Sequence, residues 1–202
     1  MSGYQDFVKA FGKGIFITSK AIAERYPLQK ALASLYILPT FFRGIYYIPT
    51  ERERKGHFIE KRQDFFTSLF DFKYGRRRWY WALSTAARHH GVEWSATNIL
   101  EVVALGRPKT IDLSDKIRSL GNKRSYRSRT LAKYLASLNV TILYLHKGMP
   151  ESLSSIKIDD AMGPVCTKQQ LLEDIGRFLP KTRDRRIKNI YKRIIANLKH
   201  QD

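Results

Sequence analysis

Between Lys116 and Pro150 the chain carries Lys116, Arg118, Lys123, Arg124, Arg127, Arg129, Lys133 and Lys147 without one acidic residue. Guanidinium and ammonium groups at that density bind phosphate, and Tyr126, set among Arg124, Arg127 and Arg129, adds a ring on which a base can stack. The same stretch also reads as an exposed basic loop. Arg76-Arg77-Arg78 ahead of Trp79-Tyr80-Trp81 is a second basic-aromatic junction. Its arginines suit a phosphate track, while tryptophans in such a place more often pack in a core. Other chemistry is thinly represented. Glu101 and Asp112, on neighbouring strand-like segments, could act with Lys109 as a metal-dependent site for nucleic-acid cleavage, but their spacing is loose. Cys166 is the single cysteine, so no internal disulfide forms, and no Cys/His set has zinc-site spacing. His89 and His90 are adjacent and point to different sides of a helix, which makes them poor co-ligands. No glycine-rich phosphate loop is present. No catalytic residue, cofactor or metal is expected; the reading is of a binding protein, not an enzyme.

The charge balance fits that reading. The chain has 202 residues, with 37 Lys and Arg against 18 Asp and Glu, a formal net charge of +19. Such a field attracts polyanions: DNA, RNA or an anionic membrane face. No apolar run approaches the roughly 18 residues of a spanning helix, so no membrane partner is expected. The N-terminus lacks the charged start, apolar stretch and cleavage site of a secretion signal, and the protein is expected in the cytoplasm.

The positioning elements follow from periodicity. Tyr4, Phe7, Val8 and Phe11 form one stripe of a first helix that stops near Gly12 or Gly14. Ile15-Phe16-Ile17 is a short strand. Thr18 or Ser19 caps a second helix through Tyr26, and Pro27 leads into a third over Leu28 to Tyr36. Two apolar runs, 37–42 and 45–48, flank Arg43-Gly44 and read as a hairpin. Helix, strand, helix, turn, helix and a two-stranded wing is the order of a winged helix-turn-helix. Glu51 to Lys55 is almost wholly charged and reads as a hinge. The expected domains are a winged-helix DNA-binding domain at 1–50 and a mixed α+β domain at 56–202.

In the second domain, 58–72 and 79–90 read as helices, the latter closed by Gly91. Residues 98–105, 110–113 and 140–145 read as strands, and 168–179 as a helix broken at Pro180. A last helix, 183–198, keeps Ile187, Ile190, Tyr191, Ile194, Ile195 and Leu198 at helical spacing against a basic remainder. That apolar stripe could pack internally or pair in a homodimer.

The runs from Thr18 to Tyr26, Gln29 to Leu35 and Arg43-Gly-Ile-Tyr-Tyr-Ile-Pro49 resemble the N-terminal domain of AbiEi-type antitoxins and related winged-helix regulators. Trp79 to Gly91 is similar to the segment with which that family opens its second domain. The resemblance covers roughly half the chain and fades after about Leu105. It implies an antitoxin of a type IV toxin–antitoxin system, which represses its own operon and counters a nucleotidyltransferase-like toxin. The expected partners are therefore double-stranded DNA and a cognate toxin. On the third helix Gln29, Lys30 and Ser34 would meet base edges. Lys20, Arg25 and Arg43 would hold phosphates, with Arg76, Arg77, Arg78, Arg124, Arg127 and Arg129 extending the basic track. A domain that chiefly binds a toxin, with DNA secondary, is the alternative from a different class.

Overall fold

Tyr4 and Phe7 are buried one turn apart on α1 (Gly3–Phe11), and the rest of the N-terminal region assembles around them. The structure, a computed structural model, describes residues 3–94, 98–150, 153, 156–160 and 162–200. β1 (Ile15–Thr18) ends on Thr18, whose hydroxyl accepts from the Ala21 amide and caps α2 (Ser19–Ala23). After Pro27 comes α3 (Leu28–Ala33), shorter than its expected span to Tyr36. Leu35 takes a left-handed φ of 53°, and the Leu35 and Tyr36 amides return to the carbonyls of Leu32 and Ala31. That Schellman closure satisfies the last carbonyls and lets Ile37 turn into the core. β2 (Leu38–Pro39) and β3 (Ile45–Ile48) form the expected hairpin with a shorter first arm, joined through Gly44 at φ 76°. β3 lies between β1 and β2, antiparallel to both. Phe7, Ile22, Ala31, Leu32, Ile37 and Ile48 make the core, and Ile17 of β1 packs against it.

The hinge expected at Glu51 to Lys55 is instead α4 (Glu51–Gly56). The Thr50 hydroxyl accepts from the Glu53 amide while the Glu53 carboxylate accepts from the Thr50 amide, a reciprocal capping box. Glu53 is buried, and it also accepts from the Tyr47 hydroxyl at 2.8 Å and the Glu60 amide at 3.0 Å. A charged segment is therefore bound to the first sheet. Thr50→Ala should lower stability by about 1 kcal/mol, seen as a lower urea midpoint by far-ultraviolet circular dichroism; an unchanged midpoint would deny the cap a role.

The chain divides into two compact units, and the division differs from an expected break near residue 50. The first unit comprises 1–69 and 113–139, the second 70–112 and 140–202. The boundary falls inside α5 (Arg62–Tyr74). The first unit thus gains the helix pair α7 (Leu113–Gly121) and α8 (Tyr126–Ser137), formed by most of the basic stretch that also read as a loop.

The second unit is built on a six-stranded mixed sheet. Its strands are β4 (Trp79–Trp81), β5 (Ile99–Ala104), β6 (Lys109–Asp112), β7 (Ile142–Lys147), β8 (Ile156–Asp159) and β9 (Gly163–Cys166), in the order β6-β7-β5-β4-β9-β8. Residues 79–90, expected as one helix, divide into β4 and α6 (Leu83–His89), with Leu83 at φ 51° between them. Trp79, Tyr80 and Trp81 are all fully buried, which suits a central strand covered on both faces, not a helix with a solvent side. Gly91, at φ 67°, closes α6 as expected. α9 (Lys168–Phe178) and α10 (Arg185–Lys199) complete the unit. The apolar stripe of α10 packs on α6 and α9, burying Ile187, Ile190, Tyr191, Ile194 and Leu198. Ile195 of the same stripe is half-buried. Among the described residues no helix is long and apolar enough to cross a membrane.

Candidate nucleic-acid interface

In the first unit the N-terminus of α2 lies against the β2–β3 turn. The Ser19 amide donates to the Gly44 carbonyl at 2.9 Å, so Lys20 and Arg43, both exposed, flank one contact. Arg25 follows α2, and Gln29 and Lys30 stand exposed on α3, with Lys30 Nζ 5.8 Å from the Tyr26 ring. At the far end of α3, Ser34 and Leu35 share a cavity of about 170 Å³ with Arg54, His57, Tyr126 and Tyr134. Tyr126 opens α8, so this cavity brings the third helix beside the basic stretch. Arg129 and Lys133 follow Tyr126 at i+3 and i+7 and share its face; Arg127 sits a step round and is half-buried. Arg124 is exposed just ahead of the helix.

The cavity is lined by donors. The Arg54 guanidinium lies 4.6 Å over the Tyr4 ring and 5.5 Å over Tyr36, which fixes its plane. The buried Arg54 Nε and Tyr134 hydroxyl have no hydrogen-bond partner among the described residues. Buried polar atoms are rarely left in that state, because desolvation then goes unrepaid. His57 Nε2 lies 3.4 Å from the Tyr126 hydroxyl. Burial, then Lys133 and Arg54, hold His57 below the usual imidazole range. Tyr126 is 64% exposed. Among the described residues no carboxylate lines this cavity. Lys20, Arg25, Lys30, Arg43, Arg124, Arg127 and Arg129 form no ion pair within the described residues. Arg76, Arg77 and Arg78 are exposed but belong to the second unit, where Arg76 approaches Asp71 at 3.9 Å.

Glu101 occupies a different setting. It is fully buried on β5, and both carboxylate oxygens are engaged: one accepts from the Ser84 amide and hydroxyl, the other from the Tyr191 hydroxyl and His146 Nε2. Burial opposes its ionisation, but the bonds and charge supplied by His146, Ser84 and Tyr191 outweigh it and hold the carboxyl below its usual range. Asp112 is exposed at the end of β6 and pairs with Ile142, whereas Glu101 pairs with Tyr144. The two carboxylates are therefore two register positions apart on strands separated by β7. Only Lys109 of the expected trio shares a cavity with Glu101. Cys166 is buried, which pushes its thiol well up, and it is a thiol at neutral pH. His89 approaches Asp159 while His90 Nε2 lies 2.7 Å from the Cys166 carbonyl, so the two rings are held by different partners.

The Glu101 network was missed because its members, at 84, 101, 146 and 191, are joined only by the sheet and α10. The Arg54 and Tyr134 cavity is long-range in the same way. The capping box over Thr50 to Glu53 was a readable signal. Compared with models of known protein families and with characterised protein sequences, the chain matches none.

Proposed function

We propose that the protein is a sequence-specific DNA-binding regulator whose first unit is a winged helix-turn-helix, with α3 as the reading helix and the β2–β3 turn as the wing. The observation that carries the reading is the set of cations on α2, α3, the turn and α8 without acidic partners in the described residues, beside a cavity lined by unpaired donors. The element order and the β1-β3-β2 sheet support it, because a winged helix uses that arrangement to present its third helix to the major groove. Gln29, Lys30 and Ser34 read bases; Lys20, Arg25 and Arg43 hold phosphates; and Arg124, Arg127 and Arg129 extend the contact along the backbone. Arg76, Arg77 and Arg78 supply further phosphate contacts from the second unit. The resemblance to AbiEi-type antitoxins gives the regulator its specific form, a cytoplasmic antitoxin that occupies its own operator and neutralises a toxin.

The test is a titration of the full chain against its own promoter DNA and a scrambled duplex over a range of salt. Arg43→Ala should weaken binding to both and lower the salt slope by about 0.9. Gln29→Ala should narrow the gap between the two duplexes. Equal affinity of the unaltered chain for both duplexes, or no change in either variant, would overturn the reading.

A further inference from the structure

The second unit holds a cavity of about 420 Å³, between the β5-β7-β6 side of the sheet and the segment leading into α10. Pockets of that size take small ligands. Tyr144, His146 and Phe178 form one wall: the Tyr144 and His146 rings lie 23° from parallel, and the His146 and Phe178 centroids are 4.6 Å apart. Lys109, Lys181 and Arg183 stand exposed around the mouth. The lining holds two acids: Glu101 is buried, and Asp184, exposed beside Lys181 and Arg183, is a single negative charge against those two cations. Asp184 Oδ1 accepts from the Arg186 and Ile187 amides as the cap of α10, and Glu101 is held by its four donors. The mouth therefore favours an anion, while the wall favours a flat ring.

We propose that this cavity binds a nucleoside 5′-phosphate, with the base against the Tyr144, His146 and Phe178 wall and the phosphate at Lys181 and Arg183. The buried Glu101 carboxylate fixes His146 and Tyr191, so the floor is formed before the ligand arrives. The site is separate from the DNA contacts of the first unit, and it stands whether or not that reading holds. Its ligand can be a free nucleotide or an unstacked nucleotide of a single strand, which share this chemistry.

The test is isothermal titration of the full chain with each of the four common nucleoside 5′-monophosphates, the corresponding nucleosides and inorganic phosphate. At least one monophosphate is expected to bind one to one, more tightly than its nucleoside or phosphate alone. Lys181→Ala with Arg183→Ala should weaken it about a hundredfold or more, as the loss of two charge-assisted bonds implies. Tyr144→Ala should weaken nucleotide and nucleoside alike. Lys192→Ala with Lys199→Ala, exposed on α10 and outside the cavity, should leave nucleotide affinity unchanged. A dinucleotide carrying the same 5′-terminal nucleotide should bind at least as tightly if strands are the source, and more weakly if free nucleotides are. No saturable binding of any monophosphate, binding no tighter than that of phosphate, or equal loss in the Lys192 and Lys199 variant would each overturn the proposal, the last by showing only diffuse attraction to a basic chain.

Discussion

Glu101→Ala is expected to lower the stability of the second unit by about 3 kcal/mol or more, since each buried donor left without its acceptor costs roughly 1–3 kcal/mol. The alanine leaves the Ser84 amide and hydroxyl, the Tyr191 hydroxyl and His146 Nε2 without their acceptor, and of these Ser84 and Tyr191 are buried. It also leaves a void where the carboxylate lay. Tyr191→Phe removes one bond to a charged acceptor and should lower stability by about 2 kcal/mol. The measurement is urea unfolding followed by tryptophan fluorescence. All three tryptophans, Trp79, Trp81 and Trp94, belong to the second unit, so the signal reports that unit alone. A midpoint shift worth less than about 1 kcal/mol for Glu101→Ala would show that the network is not a support of the sheet.

The acid limb gives an independent check. The folded carboxyl titrates below its ordinary value of 4.5, so the unfolded chain takes up the proton first as pH falls. The contribution of Glu101 is therefore complete above about pH 4.5 and is lost as pH drops through the lower folded value. Glu101→Ala should show a shallower decline there, by up to about 1.4 kcal/mol per pH unit, the slope of one proton.

What the sequence conveyed and what it withheld follow from the range over which each signal acts. The stripe of α1, the cap at Thr18, the turn at Arg43-Gly44 and the spacing of α10 are local patterns, and all of these elements form near their expected places. Composition misleads where local bonding decides the outcome. Glu51 to Lys55 looked too charged to belong to a core, yet Thr50 and Glu53 stand at capping-box spacing and the buried Glu53 ties the segment to Tyr47. Helical spacing over residues 79–90 is misleading because every residue from Trp79 to Ala87 is buried, and a run buried on all sides has no solvent face to give it a period. The return of 113–139 to the first unit could not be read at all. It rests on contacts such as the Ile59 amide with the Ser137 hydroxyl, 78 positions apart. The same distance in sequence hid the cavity that joins Ser34 to Tyr126.

Replacing Arg124, Arg129 and Lys133 together by alanine should weaken DNA binding about 10²–10³-fold near 0.1 M salt and reduce the salt slope by about 2.7, if each holds one phosphate. Arg127→Ala, one step off that face and half-buried, should have the smaller effect of a single peripheral contact. The ratio between promoter and scrambled duplex should hold, because phosphate contacts set register without reading sequence. Stability should move the other way. α8 has no acidic residue in its first turn, and Arg127 and Arg129 stand there, against the positive end of the helix dipole. Such an arrangement costs a few tenths of a kcal/mol per charge, so removing Arg129 should leave the melting temperature unchanged or slightly higher. Cations held where they disfavour their own helix fit the proposed DNA contact, in which a bound phosphate would repay the cost. A triple variant that binds normally, or one that loses binding only because it unfolds, would return α8 to the role of a solvated basic helix.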